Sequence, residues 1–446
     1  MSIKPKLNRF DLTMIVIGLI IGMGIFATPS DVANYAGQSW IFFGAWIFGG
    51  LVSLCGALTF AEIGARFPAT GGFYKVFSYC YHPAIAFMIN WVLVISNAAS
   101  VAAVAVIGAN YIKPFLLPAS WQGDTGTKII TISSVLVLYV INFLGIKMSA
   151  RTQNVLMIFK IGLIVLICAA VFKSDAAPAA IIAAPRAGNL VTAFGLSLVA
   201  VFFTYGGYQQ TINFGGDIIN AKTNIPKGIV FGIITVIILY LSINFAYFHI
   251  LGIGGLQHNK ALAATMVGVI FGATGYKITS IMIFLSVLAY VNVNVLSNPR
   301  VYYAMAEDGI LPPIFKKVNP KTQVQEFGMS FFIGAILLVL FFVATFSDML
   351  KYVMFFDTIG LSMAACAIFL LRKKTKHLDG TGIYTIKWFP VVPLIFIISY
   401  WFVTVNIFIT FRENPYAALI CLAAYVLGLG IYYACTWNKK TQNESE

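Results

Sequence analysis

The sequence is poor in charged residues: Asp, Glu, Lys and Arg make up only 10% of its 446 residues. A typical soluble domain has about 25%. Hydrophobic residues reach 60%, and the mean hydropathy is +0.88. So few charges exclude a soluble globular protein of this size and indicate a chain that is embedded in a membrane.

Residue patterns for catalysis and for cofactor or metal binding are also missing. The four histidines have no metal-ligand spacing, and no acid pair, nucleophile–base arrangement or P-loop is present. Gly22-Met23-Gly24 is only a fragment of a dinucleotide-binding fingerprint, because no strand precedes it and no third glycine follows in place. The six cysteines suggest no disulfide framework. We therefore expect neither an enzyme nor a cofactor or metal centre.

Long apolar runs predict the fold. An α-helix needs about 20 mostly apolar residues to cross the hydrocarbon core. Twelve such runs can be placed, at residues 11–36, 40–63, 84–112, 128–146, 151–172, 188–218, 228–252, 278–304, 328–346, 349–371, 388–410 and 415–436. Because the connections and the tails (1–10 and 437–446) are short, we expect a single all-α polytopic membrane domain.

The net charge of +14 has a distribution that argues against nucleic-acid binding. Of the 29 Lys and Arg residues, twenty fall in the tails or the even-numbered connections, eight fall in the odd-numbered connections, and Lys160 lies inside a span. Such an imbalance is the positive-inside rule, which predicts that both termini are cytoplasmic. The basic side also attracts anionic lipid, so we expect lipid rather than nucleic acid as its partner.

Glycines interrupt two of the predicted spans. Gly22 and Gly24 lie in the first span, and Gly206 and Gly207 lie in the sixth. A backbone in lipid cannot leave its N–H and C=O groups unpaired, so a broken helix must line a cavity or bind something. One break alone could serve close helix packing. Two breaks at corresponding positions favour the substrate site of a secondary transporter.

The spans divide into two similar halves, residues 11–172 and 188–371, and each half opens with a broken helix. Each half has five spans, an odd number, so the second half must lie inverted relative to the first. Inverted repeats of this kind let one scaffold open to either side of the membrane. The last two spans, at 388–436, are then accessory.

The two breaks offer complementary backbone groups. Unwinding at Gly22–Gly24 exposes N–H groups where the helix resumes, around Ile25–Thr28, and a helix N-terminus suits a carboxylate. The helix that ends before Gly206 offers carbonyl groups at its negative end, which suit an ammonium group. The sequence therefore predicts a dipolar clamp for an α-amino acid.

Five motifs, in order and at the right spacing, carry a family resemblance. Residues 21–29 (IGMGIFATP) and 56–72 (GALTFAEIGARFPATGG) resemble the amino acid–polyamine–organocation superfamily. Residues 203–208 (FTYGGY), 213–220 (NFGGDIIN) and 224–226 (NIP) are most similar to its L-type amino acid transporters. The resemblance implies a five-plus-five, LeuT-like inverted repeat with broken helices 1 and 6 and two accessory helices. It also implies amino acid exchange or symport.

The resemblance also implies a residue set. The amides of Met23, Gly24 and Ile25 would hold the substrate carboxylate, and Phe203 would close over the substrate. Met23 stands where the family usually has Ser, and Tyr208 where it usually has Trp, which leaves the substrate less defined. The predicted substrate-binding residues are Ile20, Gly22, Met23, Gly24, Ile25, Phe203, Thr204, Gly206 and Tyr208.

Lys160 lies about ten residues into the fifth span, too deep to reach either interface easily. An ionisable residue at this depth is a functional hypothesis by default. Its ammonium would supply a fixed positive charge to the carbonyl groups around Leu19 and Ile20. The resemblance implies that this lysine takes the place of a sodium ion. The alternative is a purely stabilising contact with backbone carbonyls.

Further polar residues are candidates for a gate or the substrate pocket. Asp357 lies seven residues into the tenth span, and a proton or gate role competes there with a structural one. Asn97 in the third span, and Tyr290 and Asn294 in the eighth, could orient a substrate side chain or bond neighbouring helices. Neither of these spans has an acid in its middle, which argues against a cationic substrate.

The sequence thus predicts a carrier for small or mid-sized neutral L-amino acids, working by sodium-independent exchange or proton-linked symport. A cationic amino acid or polyamine antiporter and a non-transporting amino acid sensor remain alternatives. The resemblance implies that a heavy chain, where one is present, is tethered through a cysteine between the third and fourth spans. The 113–127 connection has no Cys, so we expect no disulfide-linked heavy chain. We expect a bacterial inner membrane as its location.

Overall fold

The computed structural model describes residues 5–169, 172, 189–257, 262–340, 346–410 and 415–443. Parts of the predicted tails, residues 170–171 of the predicted fifth span, residue 188 at the start of the sixth, and 341–345 of the ninth lie outside these residues. The described helices, in chain order, are α1 (Arg9–Ile20), α2 (Gly24–Ala36), α3 (Ser39–Arg66), α4 (Gly72–Cys80), α5 (Pro83–Leu116), α6 (Asp124–Phe143), α7 (Ile146–Ala169), α8 (Leu190–Tyr205), α9 (Ala221–Gln257), α10 (Leu262–Glu307), α11 (Glu326–Val339), α12 (Phe346–Lys374), α13 (Val391–Thr410) and α14 (Pro415–Asn443).

Ten of the twelve predicted spans correspond to helical segments that are long and apolar enough to cross a membrane. The ninth and twelfth correspond to shorter apolar helices in the described residues, Glu326–Val339 and Leu422–Ala434. The connection between the second and third spans contains the short helix α4, which the apolar pattern did not predict. Ten such segments make the protein an integral membrane protein.

Local sequence signals set several helix ends. Asn8 accepts a hydrogen bond from the Asp11 amide (2.9 Å), and Asp11 accepts one from the Asn8 amide (3.2 Å), so a capping box starts α1. His82 caps α5, whose first residue is Pro83, a favoured position for proline. Gly37 ends α2 at φ 63°, in the left-handed conformation typical of a helix C-terminus.

The broken helices occupy the centre of the bundle. Helix α1 packs against α7 and α9, and α2 packs against α8 and α9. Helices α3 and α10 pack against them, α5 packs against α10, and α12 lies between α5 and α13. Large apolar side chains on the periphery are exposed, as Val137 and Val140 on α6 are, and suit contact with lipid.

Candidate functional site

The first break lies between α1 and α2. Residues 21–23 leave the helical path: Ile21 has φ −76° and ψ 87°, and α2 begins at Gly24, slightly earlier than the sequence predicts. The Met23 side chain makes no capping hydrogen bond. Because the first N–H groups of a helix have no acceptor within it, α2 presents its amides at the break. This end of α2 can therefore bind an anionic group.

The second break follows α8. The helix ends at Tyr205, Gly206 is extended (φ −67°, ψ 167°), and a 3₁₀ helix then covers Tyr208–Asn213. The predicted sixth span, 188–218, is thus α-helical only up to the break, and residues 206–218 form no further α-helix. Gly207 has φ 113°, and a Cβ there would lie 2.2 Å from the Leu19 carbonyl oxygen. Only glycine permits both this conformation and this close approach to α1.

The two breaks contact each other directly. A Cβ on Gly24 would lie 2.9 Å from Thr204 Oγ1 of α8, and the hydroxyls of Thr28 and Thr204 are 2.7 Å apart. The Tyr240 hydroxyl of α9 lies 3.1 Å from the Ile20 carbonyl oxygen and 3.2 Å from that of Thr204. It can donate to either one, so it joins the C-terminal ends of both interrupted helices.

Lys160 supports the first break from α7. Its side chain is fully buried, and its ammonium donates to the Ile21 carbonyl at the C-terminal end of α1. The acceptor is one residue beyond the carbonyls that the sequence indicated. A cation at the negative end of a helix is favourable, and an interrupted helix needs partners for its last carbonyls.

A cavity that encloses about 650 Å³, counting space open to solvent, lies beside both breaks. Ten of the predicted residues form part of its wall: Ile20, Gly22, Met23, Gly24, Asn97, Phe203, Thr204, Gly206, Tyr290 and Asp357. Residues from α5, α10 and α12 thus meet the backbone of the two breaks around one space.

Four predicted residues lie outside that wall. Ile25 is fully buried within α2, and Lys160 contacts the break from behind. Tyr208 packs edge-on against Phe60 of α3, with ring centroids 6.1 Å apart. The Asn294 amide donates to the Tyr290 carbonyl, at 2.9 Å, so it supports the wall without forming part of it.

Several wall residues were missed in the sequence. Gln209 accepts a hydrogen bond from the Gly207 amide at 2.9 Å, and Gln210 donates to Asn97 at 3.3 Å. Tyr400 of α13 also borders the cavity. The signal for the two glutamines was polarity directly after the second break, and Tyr400 had none. Ser100, one turn from Asn97 on α5, lies 2.9 Å from the Tyr290 hydroxyl.

A second cavity, of about 440 Å³, continues from the first. Both share Asn97, Gln209, Gln210, Asp357 and Leu361 as wall residues. Its far end is lined by amides, including Asn213 and Asn298. The polar lining therefore extends from the breaks toward the end of the bundle where α1 begins.

That end, the N-terminal face, is closed by a buried ion pair and by backbone contacts. Arg300 of α10 donates to both carboxylate oxygens of Asp217, at 2.7 and 3.1 Å, and its guanidinium lies 4.4 Å from the centre of the Phe214 ring. The amides of Lys6 and Leu7 bond to the Asp217 carbonyl at 2.8 and 2.9 Å. In the count of Lys and Arg residues by connection, Arg300 was placed with the cations of an even-numbered connection. In the structure it lies inside a helix and is only 2% exposed.

A second ion cluster lies at the same face. Glu62, at the end of α3, pairs with Arg66 at 2.6 Å and with Arg372 of α12 at 2.7 Å. Arg66 also pairs with Asp379, at 2.7 Å, and this hydrogen bond holds the pKa of the exposed Asp379 carboxyl below its ordinary value. Glu62 and Asp217 thus make loop and helix-end contacts and do not border the central cavity.

Two interrupted membrane helices that meet beside a polar central cavity define a secondary transporter. The family model for amino acid permeases matches residues 7–430, nearly the whole chain, and the chain belongs to that family. This confirms the predicted resemblance to the amino acid–polyamine–organocation superfamily. It also makes the protein an amino acid transporter and not a member of an enzyme family.

Curated relatives match along almost their full length. The serine/threonine exchanger SteT of Bacillus subtilis (strain 168) is 32% identical over 440 residues, which cover 97% of each chain. The branched-chain amino acid permease BcaP of the same organism is 27% identical, covering 96% of this chain and 93% of the permease. The large neutral amino acids transporter small subunit 2 of Homo sapiens is 24% identical, covering 97% and 80%.

Proposed function

We propose that the protein carries small or mid-sized neutral L-amino acids across the membrane by alternating access, as a sodium-independent exchanger or a proton-linked symporter. The carboxylate of the substrate binds at the backbone amides of Met23 and Gly24. The ammonium of the substrate binds at the backbone carbonyls near the end of α8. The observation that carries the proposal is the meeting of these two opposite helix ends at one cavity.

Lys160 supports sodium independence. Its ammonium already donates a hydrogen bond to the Ile21 carbonyl at the negative end of α1, a position where another cation would otherwise be favourable. A bound sodium ion would compete with this charge for the same acceptor. The energy for uphill transport would then come from a counter-transported amino acid or from protons.

The halves that begin with α1 and α8 are proposed to be an inverted repeat. Each opens with an interrupted helix, and the interruptions lie side by side. In this arrangement the N-terminal face is the cytoplasmic gate, in agreement with the excess of basic residues on that side. The Asp217–Arg300 pair then belongs to the closed form of that gate.

A cationic amino acid antiporter is the second candidate, and Asp357 is the observation in its favour. The carboxylate borders the cavity, although no acid lies in the middle of the third or eighth span. The named relatives support a neutral substrate, since SteT exchanges serine and threonine and BcaP takes branched-chain amino acids.

Uptake into proteoliposomes tests the function. Vesicles are loaded with buffer or with a neutral amino acid mixture, and uptake of labelled serine, threonine, valine and lysine is followed with sodium or choline outside. Uptake only into loaded vesicles establishes exchange, and uptake driven by an inward proton gradient establishes symport. A requirement for sodium, or uptake of lysine alone, would contradict the proposal. No uptake in any format would favour an amino acid sensor.

A further inference from the structure

The buried acids of this protein have different partners. Glu62 and Asp217 are fully buried, and each pairs with arginine. Asp357, which is partly buried, makes no ion pair with any described residue, and the Ser96 hydroxyl donates a long hydrogen bond to it, at 3.4 Å. A carboxylate that is largely withdrawn from water is costly unless it gains a hydrogen-bond donor or a cation.

The register of α12 directs one face at the cavity. Val353, Met354, Asp357 and Leu361 recur at helical spacing, and all four form part of its wall. Asp357 is the acid among them, between apolar neighbours. Its carboxylate therefore faces the space where a substrate would be bound.

Asp357 is also well placed with respect to the parts of an amino acid. If the proposed function holds, the two breaks bind the α-carboxylate and the α-ammonium. Helix α12 is not interrupted and packs against α5 and α13. The wall that it forms with Asn97 and Ser100 of α5 is left to face the substrate side chain.

We propose that Asp357 selects substrates whose side chain carries a hydrogen-bond donor. The hydrogen bond from Ser96 is long, at 3.4 Å, and a hydroxyl or an ammonium of the substrate adds a closer donor to the carboxylate. An apolar side chain of the same shape adds none, and a site built to bond a donor rejects such an analogue strongly. Threonine and valine, which differ by a hydroxyl in place of a methyl, isolate this effect.

The test is a selectivity series in proteoliposomes, with KM and the maximal rate measured for threonine, valine and lysine. Asp357→Asn removes the charge but keeps one acceptor, whereas Asp357→Leu removes both. We expect KM for threonine to rise about 10- to 100-fold in Asp357→Leu and less in Asp357→Asn, with valine within about 2-fold of the wild type. Asp357→Glu keeps a carboxylate, so it should retain part of the preference for threonine over valine that Asp357→Leu loses.

Thr358→Val is the matched control. Thr358 is the next residue of α12, is fully buried, and bonds to the Phe355 carbonyl at 3.2 Å rather than bordering the cavity. The change removes a buried polar group from the same helix, so it reports on general damage. We expect the threonine-to-valine preference to stay at the wild-type value.

The outcomes separate the proposal from its rivals. Equal losses for threonine and valine at every pH would overturn it and assign Asp357 to the substrate ammonium or to the fold. Equal losses with a flattened pH dependence would overturn it in favour of proton coupling. A lysine preference that Asp357→Asn abolishes would support donor selection and identify the donor as a cation. Wild-type protein that takes up no amino acid refutes the proposed function instead.

Discussion

The N-terminal face and the central cavity differ in whether their carboxylates are paired with a cation. At the face, Asp217 is held by Arg300 and Glu62 by Arg66 and Arg372, all within 2.7 Å at the closest atoms. At the cavity, Asp357 contacts a hydroxyl at 3.4 Å, and the remaining polarity comes from backbone groups at the breaks and from uncharged side chains such as Asn97 and Gln210. Paired charges stabilise one arrangement of helices, whereas unpaired groups around a cavity are available to a ligand. The contrast separates the face that ion pairs hold together from the cavity at which we propose that substrate binds.

The largest expected effect comes from breaking a pair at the N-terminal face. Asp217→Asn leaves Arg300 buried without a counter-charge, and removing one partner of a buried pair costs about 3–5 kcal/mol. We expect a clear fall in the thermal unfolding temperature of the detergent-purified protein.

Asp308→Asn is the control for that change. It removes the same chemical group from a partly exposed pair with Lys75, and pairs of that kind are worth about 0–1 kcal/mol. The additional change Arg300→Gln in the Asp217→Asn protein should recover part of the stability. Equal losses in the Asp217 and Asp308 variants would remove the contrast between the two regions.

Adjacent glycines at the second break sharpen the comparison on the cavity side. Gly207→Ala places a methyl group 2.2 Å from the Leu19 carbonyl oxygen at a positive φ, and forced overpacking costs about 1–3 kcal/mol. At Gly206 the nearest atom to an added Cβ is 3.3 Å away, and φ is −67°. The unfolding temperature should therefore fall more for Gly207→Ala than for Gly206→Ala. The reverse order would mean that close contact between the breaks does not stabilise the site.

Lys160→Ala tests the contact between the first break and the deeply buried ammonium of Lys160 on α7. It removes the charge from the Ile21 carbonyl, an interaction worth up to about 2 kcal/mol at a helix end, so uptake should fall about tenfold or more. Lys147→Ala, at an exposed position of the same helix, should transport normally. Initial uptake rates between pH 5 and 8 decide the matter. An unchanged profile in Lys160→Ala would rule out both a scaffold and a proton role.

The smallest expected effect is that of Tyr240→Phe, which deletes the hydroxyl between the carbonyls of Ile20 and Thr204. One such hydrogen bond contributes about 0.5–1.5 kcal/mol, so the substrate KM should rise about 2- to 10-fold. Tyr247→Phe is matched to it, because the Tyr247 hydroxyl is buried on the same helix without a hydrogen-bond partner in the described part of the chain. Similar KM values for both variants would show that the bridge between the breaks is dispensable.

Much of the fold could be predicted, because its strongest determinants are local. Apolar runs mark the membrane helices, and glycines at positions 22, 24, 206 and 207 mark the interruptions. Helix ends were less accessible. Helix α9 continues to Gln257 past Gly252, where φ is 65°, beyond the predicted end of the seventh span. A kink at positive φ needs a glycine, but a glycine in the sequence does not by itself show that the helix is kinked there.

The candidate site was predictable only in part. Gly22, Gly24 and Gly206 carry their own signal, whereas Tyr240 looked like any aromatic residue of an apolar helix, 36 residues from Thr204. Arg300 looked like a loop cation at the end of its span until Asp217, 83 residues away, was placed against it. Such pairings depend on how helices pack, which composition and periodicity do not encode.

The class of protein follows from the sequence alone: long apolar runs require membrane helices, and a helix interrupted in lipid must line a cavity or be buried in protein. The sequence also predicts a helix start suited to an anion and a helix end suited to a cation. Which polar groups already have partners depends on the tertiary structure. Arginines satisfy Glu62 and Asp217, and Lys160 satisfies Ile21, while Asp357 faces the cavity. The reason is physical: whether a buried polar group is available depends on its neighbours in space, and helix packing brings those neighbours from distant parts of the chain.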